Sequence, residues 1–322
     1  MNLGGDISPS ITKIILKEVG WHSQLNRTMS KNILNKKHAM VMGVVVNNSN
    51  LNGDRDNNGA PRVDAVTGLG EATDVCIKRF IRLFVETFGP DVKLYIKNDR
   101  PLNDKIAEAA SEASGMTLDG LAEAIKKDRD AFLPTLQWLL ERYWDLRAFG
   151  GVFAKLNRPI HGPVQFAISQ SVLPVELKTI SLSSQGITTR AQYDAGDKIM
   201  LGEKTVVRHG LYIVRGEISA VRAEKTGFTE EDKDLLLKAM IHGFDMAKSA
   251  SRSDIRVCAL YDFEYSDRLG LEVPTATLWD AVQVTPVPEV LNGTRPATCF
   301  GDYTVKLDEA VIPNSVTVHK LV

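Results

Sequence analysis

The residues best equipped for chemistry stand between 47 and 64, in "NNSNLNGDRDNNGAPRVD", directly after the apolar run "VMGVVV". Within this stretch "DRDNNG" sets Asp54, Asp56 and Asn58 at alternate positions with Gly59 next, which is how an EF-hand calcium loop begins. The rest of that motif is missing. The twelfth position, where a bidentate Glu belongs, is Ala65, and the run before the loop has strand rather than helix character. Asp54 and Asp56 could instead form an acid/base pair. Such a pair needs opposed environments to separate two pKa values, and both lie in one polar loop with no His nearby. Asn, Asp and Gly at these positions also simply make turns.

The segment after the loop adds positive charge. Residues 73 to 90, "TDVCIKRFIRLFVETFGP", predict a helix that Thr73 or Asp74 caps and Gly89-Pro90 stops. Ile77, Phe80, Ile81, Phe84, Val85 and Phe88 make its apolar stripe, and Lys78, Arg79 and Arg82 lie on the polar face in its first half. Cations near a helix N-terminus oppose the macrodipole at about 0.3–1 kcal/mol each. A bound anion reverses that sign, and phosphate is the usual one. Taken alone, the helix reads more plainly as a solvated basic face. Together with Arg55, Arg62 and the amide donors of the loop, it can hold a sugar-phosphate backbone without reading sequence. Further basic residues stand in loop-like contexts: Arg147, Lys155, Arg158 and His161, then Arg190, Lys204, Arg208 and His209, with Arg252 in "SASRSD". His161 and His209 have no paired nucleophile, and the chain has no G-x-S-x-G, P-loop or GxGxxG.

These residues need elements to carry them. "HAMVMGVVV" (38 to 46) predicts a strand buried on both faces, and "VKLYI" (92 to 96) a second. Residues 101 to 145 read as helices broken at "SGMT" and around Pro134. A strand follows at "VQFAIS", then a projecting hairpin over 179 to 205 and a third main strand at 210 to 221. Thr229 with Asp232 opens a helix in capping-box fashion, and "IRVCALYDF" (255 to 263) is the fourth main strand. Without its middle, the chain runs strand, helix, strand, then strand, helix, strand. That is an α+β plan of the ferredoxin-like or RRM-like kind with a large insertion after the second strand. The RRM aromatic signature is absent from "GLYIVRGEISAV", so stacking of bases on an open sheet is not supported.

Composition bounds the function without choosing it. The 322 residues, 43% hydrophobic, suffice for one large domain. Net charge is −1, but residues 11 to 40 hold six Lys/Arg against one acid, and residues 141 to 215 hold ten against six. Segregated charge of this kind permits a basic groove. Cys76, Cys258 and Cys299 form no CxxC and no zinc spacing, which points to a reducing, cytoplasmic compartment. The N-terminal segment lacks the pattern of a signal peptide, and no apolar run is long enough to span a membrane.

Several long motifs now stand in one order: "NGDRD", "APRVDAVTGLGEATDVCIKRFIR", "WDLRAFGGVFA", "HGPVQFAIS" and "GLYIVRGEISAVRAEKTGF". From about His38 to Asp280 the chain resembles the backbone subunit of Cascade, the CRISPR surveillance complex, of the type I-C branch, type I-B being close. The resemblance implies a modified RRM/ferredoxin-like core, the palm, with a large helical insertion at about 99–145 and a β-hairpin thumb at about 179–209. Residues 37–322 would then be one domain, and 1–36 a basic N-terminal arm. That arm is longer than the family's usual short start, and three readings of it stay open: disorder, sequence ahead of a start at Met29, or an extra basic contact.

The implied function is non-catalytic. Copies polymerise in a helical filament along one CRISPR RNA, hold its sugar-phosphate backbone, and present bases for pairing with target DNA. Base pairing, not the protein, then reads sequence. Other Cascade subunits (cap, large and small) would be partners, with no cofactor, metal or membrane. On this chain the RNA contacts implied are Asn52, Gly53, Arg55 and Arg62 in the loop, and Lys78, Arg79 and Arg82 on the helix. Arg147, Phe149 and Gly150 match the family's "DVR-FG" motif, and Arg158, His161, Arg190, Lys204, Arg208, His209 and Arg252 complete the set. The family loop usually reads P-N-G-D-P-D, whereas Leu51 and Arg55 replace both prolines here. The rival from another class is a metal-dependent target-RNA endonuclease of the type III kind, with Asp54 or Asp56 at its centre. A calcium-binding structural module is the third reading.

Overall fold

The structure, a computed structural model, describes residues 32–89, 91–184, 190, 194 and 200–322. Most of the expected basic arm, and the expected thumb between 185 and 199 apart from Arg190 and Asp194, lie outside the described residues. The chain begins with β1 (His38–Ser49), the short pair β2 (Gly53–Asp54) and β3 (Ala60–Pro61), β4 (Leu69–Ala72) and α1 (Asp74–Phe88). The insertion holds α2 (Leu102–Ser114), α3 (Leu118–Lys127), α4 (Leu133–Arg142) and α5 (Trp144–Phe149), closed by the hairpin β5 (Gly150–Phe153) and β6 (Arg158–His161). Then come β7 (Val164–Phe166), β8 (Ser169–Pro174), β9 (Leu177–Ser184), β10 (Met200–Ile218), α6 (Ala220–Thr226), α7 (Glu230–His242) and β11 (Asp254–Glu264). The last elements are α8 (Thr275–Ala281), β12 (Val282–Pro286), α9 (Pro288–Leu291), β13 (Tyr303–Leu307) and β14 (Thr317–Lys320).

β1 sits at the centre because it can be buried on both sides. It pairs antiparallel with β10 and with β11, and the sheet runs β14-β11-β1-β10-β8-β4, with β7 and β9 also on β10. Met40, Met42, Val44 and Val46 point to one core, shared with Ile77, Phe80, Ile81 and Phe84 of α1 and Leu236, Ala239 and Met240 of α7. Ala39 and Val41 point the other way, to Leu278 of α8 and Val282 at the start of β12. Each such fully buried Val, Leu, Phe or Met contributes roughly 1.5–3 kcal/mol. Phe88 departs from the expected stripe. It is 66% exposed, though its ring stacks on Phe84 at 4.5 Å.

The fold is α+β, as the alternation of elements predicts, but the second core strand is not where the sequence pattern puts it. Residues 92–96 form no strand of the sheet; Lys93 makes one isolated bridge, to Tyr143. Their amides are taken instead by a buried side chain, since Asp145 accepts from Tyr95 N at 2.6 Å and from Ile96 N at 3.0 Å. Across β10 from β1 lie β7, β8 and β9, which come after the insertion. The insertion therefore divides α1 from the second core strand. It carries its own core, which includes Tyr95, Ile106, Leu121, Leu136, Leu139 and Phe153.

Two predicted caps form. Thr73 Oγ1 accepts from Cys76 N at 3.3 Å, and Thr229 with Asp232 makes a full capping box. α7 stops at His242, and a single 3-10 turn, Asp245–Ala247, follows.

Candidate nucleic-acid interface

The loop after β1 is held by side chains rather than by a metal. Asn52 Oδ1 accepts from Thr73 N at 2.8 Å and Thr73 Oγ1 at 3.0 Å, which fastens the loop to the N-cap of α1. Asn50 Nδ2 donates to Gly59 O at 2.7 Å, and Asn50 N donates to Ser251 O at 2.7 Å. Gly53 is required by that closure, because a Cβ there would lie 2.8 Å from Gly59 O. Asp54, first in the calcium-like string, pairs with Arg62 at 2.8 Å and caps the turn Arg55–Asn57. Among the described residues no three His, Cys, Asp or Glu side chains gather as a metal site. Arg55 is exposed and has no polar partner among the described residues.

Three arginines from separate segments converge beside this loop. Arg62, Arg79 of α1 and Arg252 of the turn before β11 all act electrostatically on the thiol of Cys76. Burial dominates that thiol and pushes its pKa up to about 11, against the pull of the three cations. Arg79 is exposed and has no ion pair among the described residues. The Nε groups of Arg62 and Arg252 are buried with no hydrogen-bond partner among the described residues. Native proteins rarely leave such donors empty. Lys204, at the base of the β9–β10 hairpin, donates to Ala250 O and so ties the hairpin to the same turn.

Other cations foreseen as contacts are already engaged. Arg82 Nε donates to Asp145 Oδ2 at 2.8 Å, and Arg147 grips Asp232 through Nε at 2.9 Å and Nη2 at 2.8 Å. Arg147 Nη1 donates to Leu140 O at 2.8 Å. Lys78 pairs with Asp74 at 2.9 Å. Phe149 is buried, with Arg82 Cζ 5.0 Å and Lys78 Nζ 5.6 Å from its ring centre. Gly150 has φ 75° and could carry no side chain, since a Cβ would meet Ile160 O at 2.0 Å. These residues brace the fold more than they offer free charge.

The remaining predicted residues lie on hairpins. Arg158 and His161 are on β6; the Arg158 Nε is buried without a partner among the described residues, and His161 is exposed. Arg190 is exposed and pairs with Asp194 at 3.3 Å. Arg208 pairs with Glu176 at 3.1 Å, and His209 is buried against Asn47 at 2.6 Å. Sequence reasoning singled out Thr73 only as a helix cap and missed Asn47, Asn50 and Asp254, none of which carries positive charge. The run of Asn after β1 was the one signal for the two asparagines.

Fold and site together define an α+β protein whose cations gather at the end of an antiparallel sheet, at loops and a helix N-terminus. Residues 36–308 match the family model described as CRISPR-associated protein Cas7, and the chain belongs to that family. A solved chain titled "CRISPR RNA-guided surveillance complex, pre-nicking" is similar at 15% identity and TM-score 0.46, over 70% of this chain and 78% of that one. Another, titled "CRISPR RNA-guided surveillance complex", is similar at 13% identity and TM-score 0.43, over 88% of each chain. No curated protein matches. Among the described residues no helix is long and apolar enough to cross a membrane.

Proposed function

We propose that this chain is the backbone subunit of a CRISPR RNA-guided surveillance complex of the type I-C branch. It holds the sugar-phosphate backbone of the guide RNA and does not cut nucleic acid. One observation carries the reading: Arg62, Arg79 and Arg252 converge at the N-terminus of α1, two of them with buried, unpartnered Nε groups. Guanidinium groups such as the exposed Arg79 donate to phosphate oxygens, and contacts to phosphate hold a strand without selecting its sequence. Copies of the chain then repeat along one RNA, with the cap, large and small subunits as partners, and the presented bases pair with target DNA. Family membership supports the general role. The order of motifs from "NGDRD" to "GLYIVRGEISAVRAEKTGF" supports the branch.

The absence of catalysis is part of the proposal. Asp54 is spent on Arg62 and on the turn it caps, which leaves Asp56 as a lone exposed carboxylate in that loop. Expression with the guide RNA is the direct test. The purified protein should carry RNA and elute as a large particle. A monomer free of RNA, or magnesium-dependent cuts in target RNA at regular spacing, contradicts the reading.

A further inference from the structure

Three side chains at one end of the sheet form a relay that ends in an open acceptor. Asn47 on β1 stands in register with His209 on β10 and with Asp254 on β11. Asn47 Nδ2 lies 2.9 Å from Asp254 Oδ2, and Asn47 Oδ1 lies 2.6 Å from His209 Nδ1. A carboxylate only accepts, so the amide turns its NH2 to Asp254 and its oxygen to the imidazole. That oxygen also only accepts, so Nδ1 carries the proton. In the neutral ring Nε2 is then a bare lone pair. Burial lowers the His209 pKa and so favours the neutral ring, although Asp302 and Asp254 pull the other way.

His209 is 8% exposed, and its Nε2 has no partner among the described residues. A buried acceptor without a donor is costly. His209 is among the residues that line a cleft of about 300 Å³, together with Glu176, Arg208, Arg295 and Tyr303. Arg208 and Arg295 are about half exposed, the first paired with Glu176 at 3.1 Å and the second with Asp302 at 2.6 Å, and a group enters only where these side chains move aside. A phosphate oxygen cannot complete the relay, because an anionic diester brings no proton to a bare lone pair.

We propose that this cleft receives one ribose of the bound RNA, whose 2′-hydroxyl donates to His209 Nε2, so that His209 distinguishes RNA from DNA. The 2′-hydroxyl is the donor that a DNA sugar lacks. Arg208 and Arg295 then stand where the phosphates on either side of that sugar would pass. The assignment rests on the RNA-binding reading above.

A scan of guide RNAs, each with one 2′-deoxy nucleotide, tests it on the unaltered protein. One position in each protomer's footprint should weaken binding roughly five- to a hundredfold, the loss of one hydrogen bond to a buried acceptor. In H209N the side chain keeps a donor for Asn47 but loses Nε2, and the same scan should become flat. A flat scan with the unaltered protein still holding RNA overturns this assignment alone. So does a scan that H209N leaves unchanged. A flat scan combined with weaker assembly in H209N would give the lone pair to a peptide N–H of a neighbouring copy and reject the ribose. No RNA binding at all overturns both readings.

Discussion

Arg82 and Asp145 form a buried ion pair that joins α1 to the insertion: Nε donates to Oδ2 at 2.8 Å, and Asp145 is 1% exposed. The same carboxylate holds the amides of Tyr95 and Ile96. Removing the cation would strand a buried anion. Arg82→Ala should therefore cost about 3–5 kcal/mol in denaturant unfolding. Arg79→Ala, at an exposed position without an ion pair, should stay within about 0.5 kcal/mol of the parent. Equal stability of the two variants would contradict this division of roles on one helix.

The cysteines give a second check on burial. Cys76 and Cys258 have pKa values raised by burial to about 11 each, and Cys299 is exposed. The thiolate is the reactive form. Alkylation followed by peptide mass spectrometry should mark Cys299 first, and Cys76 only on unfolding. Early modification of Cys76 would mean that the loop and the N-terminus of α1 open readily.

Acid should weaken the fold through His209. Its folded pKa lies below the ordinary value of about 6.5, chiefly from burial. Between the two values the unfolded chain binds the extra proton. Stability is therefore full above the unfolded pKa and is lost as pH falls through it toward the folded one. Urea unfolding of the parent and of H209N across that range should show a shallower pH slope in the variant. Identical slopes would place the sensitivity elsewhere.

What the sequence made legible follows from range. β1 and α1 announce themselves through local pattern, one apolar run and one stripe of helical period, with Thr73 and Gly89 as local punctuation. The second core strand was misplaced because "VKLYI" alternates like a strand, while its amides are claimed by Asp145, 50 and 49 positions away. Arg82 and Arg147 read as free cations for the same reason. Their carboxylates lie 63 and 85 positions off, and no spacing rule reaches that far. Gly150 was legible as a motif residue but not as a steric necessity, which only the approach of Ile160 reveals. The Asp254–Asn47–His209 relay depends on the register of three strands, so composition marked only His209.

The central claim is that the arginines near the N-terminus of α1, Arg79 above all, hold phosphates. Guide-RNA affinity measured against salt concentration, for the parent and for Arg79→Ala, tests it most directly. Each lost phosphate contact should reduce the slope of log affinity on log salt by about 0.7 on a single strand. The account predicts weaker binding with a slope shallower by that amount per protomer contact. An unchanged slope and affinity would show that this helix face is only solvated, and would contradict it.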